Sequence, residues 1–288
     1  YALKTAALIL DEVTTENIVS NFLLSIDDNA ITQDKRLDLL GGSAGLIVSA
    51  SSCALKTPKL IDLIEKSAKH LLSQRVQTNL GPRMWLHSKG TPALIGLAHG
   101  SSGIALAMMH AAKITGESEY AEAVSESIQY EDMVFNQRLQ GWPDFRLPKN
   151  SAGDHPISSN WCNGSSGLGL ARISTAINEK EKVAIRTAAN ISATGYEPNQ
   201  LSHLCCGNLG RAVFISKAAS YLQDATLENT SNKMFNDLAQ LVIDDQIELG
   251  WPTSLTIPSF HQGLAGIGYF LLKSTIRGKT LPSCEIFG

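Results

Sequence analysis

The sequence predicts an all-α chain, an α/α toroid in which a double ring of inner and outer helices is built from a repeat. Three observations predict it. Strand signals are nearly absent, with no long alternating run of β-branched residues. Helical periodicity recurs along the chain. A Gly-x-x-Gly element introduces an apolar run five times, at Gly42-Ser-Ala-Gly45, Gly100-Ser-Ser-Gly103, Gly164-Ser-Ser-Gly167, Gly207-Asn-Leu-Gly210 and Gly263-Leu-Ala-Gly266. The first glycines lie 58, 64, 43 and 56 residues apart. That spacing suits two helices and their loops per unit, at about 12 residues per helix.

The first motif leads into an uncharged stretch that contains Cys53. Residues 59–75 then place Leu60, Ile64, Leu71 and Leu72 on or near one face, with Glu65, Lys66, Lys69 and Arg75 mostly elsewhere. Gly81-Pro82 breaks the chain before the second motif and its run from Ile104 to Ala112. Residues 118–130 read as a weaker amphipathic helix. Gly141, Pro143, Pro148, Gly153 and Pro156 make 141–160 a long loop. The third motif opens Leu168 to Ala171, and 179–193 is amphipathic again. After a break at Gly195 to Pro198, the fourth motif opens Ala212 to Ile215. Residues 231–243 space Met234, Phe235, Leu238, Leu241 and Val242 by three and four. Beyond Trp251-Pro252 the fifth motif opens Ile267 to Leu272. Runs apolar all round are expected inside and amphipathic helices outside. An open solenoid of the same repeats is the rival architecture.

Composition narrows the function classes. Of 288 residues, 43% are hydrophobic, enough for a sizeable core, and 18% are charged, below the roughly 25% usual for soluble domains. The formal net charge of −3 provides no bulk attraction to nucleic acid or anionic lipid. No apolar stretch reaches the ~20 residues of a membrane span. Five cysteines, two of them adjacent, fit a reduced, cytoplasmic setting better than a disulfide scaffold. The start, Tyr1-Ala2-Leu3-Lys4, has no initiator Met or signal-peptide pattern, consistent with an excised single domain spanning 1–288, trimmed at its N-terminus.

The chemistry-bearing residues sit just before the first glycine of each motif: Asp38 at −4, His99 at −1, Cys162 at −2, Cys205 and Cys206 at −2 and −1, and His261 at −2. In a closed toroid these loops open at one end, so the side chains are expected to converge. Cys162, Cys205 and Cys206 are the metal candidates. Thiolates suit Zn²⁺, and three protein ligands leave a fourth position open, as in catalytic zinc sites. Their alternative is to be small buried hydrophobes, the reading preferred for Cys53. His99 is the acid–base candidate, with Asp38 orienting it. The alternatives are a loop histidine bonded to backbone and a helix-capping or surface carboxylate. His261 is expected to be structural more than catalytic. His203 is either a supporting partner of the cysteines or a surface residue.

These same residues carry a family resemblance. Ala98-His-Gly-Ser-Ser-Gly103, Trp161-Cys-Asn-Gly-Ser-Ser-Gly167, Leu204-Cys-Cys-Gly-Asn-Leu-Gly210 and His261-Gln-Gly-Leu-Ala-Gly266 resemble the motif series of the LanC-like lanthipeptide cyclases. Asp38-Leu-Leu-Gly-Gly-Ser-Ala-Gly45 resembles the family's earlier Asp-containing element. The Cys-Cys-Gly form is similar to the cyclase domains of bifunctional class II synthetases. The resemblance implies an α/α toroid holding one zinc on Cys162, Cys205 and Cys206, with His99 and Asp38 at the acid–base and supporting positions. It implies a ribosomally made precursor peptide as substrate, dehydrated beforehand by a dehydratase domain or protein. A Cys thiol of that peptide would add to dehydroalanine or dehydrobutyrine, closing a thioether ring. The chain departs from the pattern at Asn163, where Tyr or His is commoner, at Ser158, where some members carry Arg, and in having 37 residues before Asp38.

Two other classes compete with a cyclase. A non-catalytic zinc-containing adaptor, binding a peptide or glutathione, would be favoured by loss of His99 or of the open zinc position. A helical-toroid carbohydrate enzyme needs paired carboxylates, and the motif loops offer only Asp38.

Overall fold

The structure, a computed structural model, describes residues 13–53, 57–88, 90–175, 179–252 and 257–275. Among the described residues are eleven α-helices and one short β-hairpin, as the all-α expectation requires. They fall into two compact units that divide between Val134 and Phe135.

The first unit contains α1 (Val13–Leu24), α2 (Asp28–Thr32), α3 (Ser43–Ser52), α4 (Pro58–Ser73), the antiparallel strands β1 (Val76–Gln77) and β2 (Arg83–Met84), α5 (Ser101–Thr115) and α6 (Ser118–Met133). Helix α3 packs on α4, α5 packs on α6, and α3 and α5 lie side by side. Helix α4 starts where the Thr57 hydroxyl accepts the Leu60 N–H and Pro58 fills the first turn. It buries Leu60, Leu63, Ile64, Ala68 and Leu71 and keeps Lys66 and Lys69 in i,i+4 ion pairs with Asp62 and Glu65. Helix α5 is buried without interruption from Ser101 to Met108 and ends at Gly116, whose φ of 79° suits a residue without a Cβ. The buried Glu131 of α6 accepts from the Ser101 and Ser102 hydroxyls at 3.0 and 2.6 Å, tying the outer helix to the start of the inner one.

The second unit contains α7 (Ser165–Thr175), α8 (Glu179–Thr194), α9 (Asn208–Leu222), α10 (Ala225–Ile243) and α11 (Leu264–Thr275). Here α7 packs on α8, α9 on α10, and α7 beside α9. A buried ion pair, Arg172 to Glu181 at 2.6 Å, joins α7 to α8. Helix α10 begins six residues before the expected 231, because Asp224 caps it by accepting from Thr226 and Leu227 N–H. The segment 141–160 is irregular as expected, but it is anchored. Pro143 pairs with Ile157, Asp144 N–H donates to Pro156 O at 2.8 Å, and the buried Trp142 meets Phe135 edge-on at 4.9 Å.

The starts of the inner helices share one local structure. The preceding loop folds back so that its carbonyls accept the first N–H groups of the helix: Ser101 to Leu94 O at 2.8 Å, Ser165 to Ser158 O at 2.9 Å, Asn208 to Leu201 O at 2.7 Å and Leu264 to Ile257 O at 2.9 Å. Each donor lies seven residues after its acceptor. Loop backbone thus satisfies orphan donors of these helix N-termini, the Asp34 carboxylate takes the Ser43 N–H of α3 at 2.7 Å, and the N-cap glycines Gly42, Gly100 and Gly207 contribute no side chain. This return path leaves no room for a Cβ. One added at Gly164 would lie 2.6 Å from Ser158 O, one at Gly45 2.5 Å from Leu39 O, and one at Gly103 would overlap Leu97 O.

Helices expected over 59–75, 118–130, 179–193 and 231–243 are all present. The fifth apolar run departs from expectation. Ile267 and Phe270 are buried, but Leu264 and Leu272 are exposed, and among the described residues no outer helix follows α11. Cys284 lies outside the described residues.

Two glycine substitutions separate these constraints. Gly103→Ala is expected to destabilise by about 1–3 kcal/mol through overpacking. Gly268→Ala, in α11 with nothing within 4 Å of the added Cβ, is expected to stabilise by up to about 1 kcal/mol. Urea unfolding of the two variants checks both signs.

Candidate metal centre and acid–base pair

The sequence-predicted residues form two clusters, one in each unit. In the first unit Asp38 precedes α3 and His99 precedes α5. The two loops are joined by one backbone bond, Leu39 N–H to Ala98 O at 3.2 Å. Asp38 is buried, and its Oδ1 accepts from Leu40 and Gly41 N–H at 3.0 and 2.8 Å. Those bonds fix the carboxylate, so Oδ2 meets His99 Nδ1 at 2.8 Å. The imidazole therefore donates from Nδ1 to the carboxylate, which leaves Nε2 as the atom able to take or give a proton. The His99 side chain is 45% exposed while that of Asp38 is 12% exposed, so the buried partner orients a reachable ring.

In the second unit Cys162 precedes α7, and Cys205 and Cys206 precede α9. A ladder of the same kind joins their loops: Cys162 N–H donates to Cys205 O at 3.1 Å, and Cys205 N–H donates to His261 O at 2.9 Å. Cys162 Sγ lies 3.2 Å from Cys206 Sγ, which lies 3.4 Å from Cys205 Sγ, and all three sulfurs fall within 4.8 Å of one another. Sulfur contacts with Cys205 and Cys206 hold the Cys162 thiol far below its usual range, and contact with Cys162 in turn pushes Cys205 and Cys206 up. Thiolates this close repel one another. A cation among them would offset that repulsion and favour the thiolate form of all three.

That arrangement fits zinc. Tetrahedral Zn–S bonds of about 2.3 Å place sulfurs roughly 3.8 Å apart, close to the spacings present. The surroundings are ordered. Trp161 is buried and its ring lies 5.2 Å from that of His261. The buried His203 accepts the Cys206 N–H on Nδ1 at 3.3 Å, which supports its reading as a partner of the cysteines. Burial pushes both His203 and His261 below the ordinary imidazole range. His261 contributes its backbone carbonyl and its ring face, a structural role. Ser158 caps α7 through its carbonyl oxygen. Asn163 is buried, and its amide helps to hold the Cys162 thiol low. Cys53 is buried at the end of α3, away from any motif loop in sequence.

Two arginines near the thiols were not singled out by the motif analysis. Arg146, in the 141–160 segment, pairs with the buried Asp144 through Nε at 2.9 Å and Nη2 at 2.5 Å, and the sulfurs of Cys162 and Cys206 act on its charge. Arg211 of α9 is buried. The available signal was a charged residue inside an otherwise apolar run, Ala212 to Ile215 with Leu209 before it.

With the fold and both clusters in place, comparison with known proteins assigns the class. Residues 1–286 match the family described as lanthionine synthetase C-like protein, and the chain belongs to that family. A curated relative is the lacticin 481/lactococcin biosynthesis protein LcnDR2 of Lactococcus lactis subsp. lactis, 24% identical over 277 residues. That match covers 90% of this chain and 27% of the relative, so the chain spans about a quarter of its length. Among solved structures, nisin cyclase is similar over 94% of this chain and 70% of its own, with a TM-score of 0.67 and 15% identity. A sugar epimerase from a ruminal bacterium matches 76% of this chain and 62% of its own, with a TM-score of 0.50 and 13% identity. The fold class is accordingly the α/α toroid of the sequence expectation. Among the described residues no helix is long and apolar enough to cross a membrane.

Proposed function

We propose that this chain is a zinc-dependent cyclase that adds Cys thiols of a dehydrated, ribosomally made peptide to dehydroalanine or dehydrobutyrine, forming lanthionine-type thioether rings. The observation that carries the reading is the three-sulfur cluster of Cys162, Cys205 and Cys206, within 4.8 Å. Family membership supports it. A dehydratase, on the same chain or another, is the partner such a substrate requires.

In this reading Cys162, Cys205 and Cys206 hold the ion. Bound zinc supplies a Lewis acid that keeps an incoming thiol as the nucleophilic thiolate at neutral pH, where a free thiol of pKa near ~8.5 is mostly protonated. The reaction forms one S–Cβ bond and one Cα–H bond and consumes the C=C bond and the S–H bond, so no oxidant or reductant is needed. His99 handles the proton. With Nδ1 committed to Asp38, Nε2 gives the proton that the α-carbon of the enolate takes up. Asp38 keeps the ring in that orientation and balances the imidazolium. An acid–base pair of this kind supports a catalyst over a binding-only adaptor. The Arg146–Asp144 pair places part of the 141–160 segment in the field of the thiols, which supports a role for that segment at the edge of the site.

Mass spectrometry after thiol alkylation tests the function. Incubation with dehydrated Cys-containing peptides is expected to remove free Cys without a mass change, and persistent alkylation of every Cys across such peptides contradicts it. Metal analysis is expected to find about one zinc per chain. The ion is lost in Cys162→Ala and Cys206→Ala and kept in Cys53→Ala. Full zinc in both motif variants contradicts the ligand set. His99→Asn is expected to keep zinc and helix content while slowing cyclisation roughly 10²–10⁴-fold. An unchanged rate assigns His99 to structure.

A further inference from the structure

Two buried arginines lie on the inner helices of the second unit, and they differ in what balances their charge. Arg172 of α7 faces the carboxylate of Glu181 at 2.6 Å. Arg211 of α9 bonds only neutral oxygens: Nε to Ser159 Oγ at 2.8 Å, Nη1 to Asn208 Oδ1 at 2.8 Å and Nη2 to Asn160 Oδ1 at 3.4 Å. Among the described residues no carboxylate pairs with it. A guanidinium stays charged, and burying a charge without a counter-ion is costly. The groups whose charge, when ionised, acts on Arg211 are Cys206 and Glu197. Glu197 is exposed and screened by water.

The three anchors of Arg211 mark where its charge is directed. Ser159 and Asn160 lie three and two residues before Cys162, and Asn208 lies two residues after Cys206. The guanidinium thus bridges both ligand-bearing segments, and none of its three partners neutralises it. Three thiolates on a dication leave a net charge of −1, and a substrate thiolate would make it −2.

We propose that Arg211 is the fixed counter-charge of the thiolate site, a positioning residue whose unneutralised guanidinium raises the affinity of Cys162, Cys205 and Cys206 for a metal dication. The inference rests on the reading that these cysteines hold zinc. Its signature is a dependence on charge, not on hydrogen bonding alone.

Competition of the full chain against a zinc chelator tests it. Arg211→Gln, which keeps hydrogen-bonding capacity and loses the charge, is expected to weaken zinc binding about 10–100-fold, the range of residues that support metal ligands. Arg211→Lys, which keeps the charge and loses the three-way bridge, is expected to restore most of that loss. Wild-type zinc affinity in Arg211→Gln overturns the role while leaving the metal site standing. Equal weakening in the Gln and Lys variants overturns the charge argument in favour of a clamp. A wild-type chain that takes up no zinc overturns the metal reading, and the counter-charge role with it. Should Arg211→Gln lose its helical circular dichroism, Ser159→Ala decides. That variant removes an anchor and leaves the charge, so near-wild-type affinity supports the role and a loss of about tenfold or more overturns it.

Discussion

The close passage of one stretch of backbone over the first turn of the next helix is the constraint on which the rest of the molecule depends. At each inner helix a loop carbonyl takes a helix N–H from seven residues on, with Leu94 receiving Ser101 and Leu201 receiving Asn208. The glycines of the repeat permit that approach, because a Cβ at Gly103 or Gly210 would occupy the position of a carbonyl oxygen. Among the described residues, only at α3 does a side chain assist, where the Asp34 carboxylate accepts the Ser43 N–H at 2.7 Å. The residues one or two places before the first glycine are left with side chains free for other work. His99, Cys162, Cys205 and Cys206 all come from these places.

The same backbone regularity brings residues distant in sequence into register. Single bonds run from Leu39 to Ala98 in the first unit and from Cys162 to Cys205 to His261 in the second. Each joins loops of successive motifs, so a separation of some 40 to 60 residues becomes one hydrogen bond. Positional accuracy follows without a sheet or a disulfide. In the first unit it delivers a carboxylate whose second oxygen is already occupied by two N–H groups, leaving one oxygen for His99. In the second it delivers three sulfurs within 4.8 Å of one another, whose mutual repulsion as thiolates a cation would offset. Charge in the surroundings then becomes part of the site. Arg146 is neutralised by Asp144, whereas among the described residues Arg211 has only neutral partners.

Much of this was legible in the sequence because it is periodic. The motif glycines and the apolar runs behind them specify inner helices, and the three-and-four spacing of Leu60, Ile64 and Leu71 or of Met234, Phe235 and Leu238 specifies outer ones. The Asp38–His99 pair and the thiol cluster follow from position relative to the repeat. Features outside the repeat were less visible. Helices α1 and α2 precede the first motif, and the strands of the 76–84 hairpin are two residues each, too short to show alternation. The N-terminal extension of α10 depended on Asp224, a capping residue ahead of the periodic run. Arg211 was hidden for a different reason. Its significance is that no carboxylate among the described residues pairs with it, a property of packing that spacing along one helix does not contain.

The most direct test of the account is zinc X-ray absorption on the purified chain, because it counts and identifies the atoms around the metal. The account predicts a first shell dominated by about three Zn–S distances near 2.3 Å, with a further sulfur added when a dehydrated peptide carrying a free Cys is present. A shell of nitrogen and oxygen alone, or one that keeps all its sulfurs in Cys162→Ala, would contradict it.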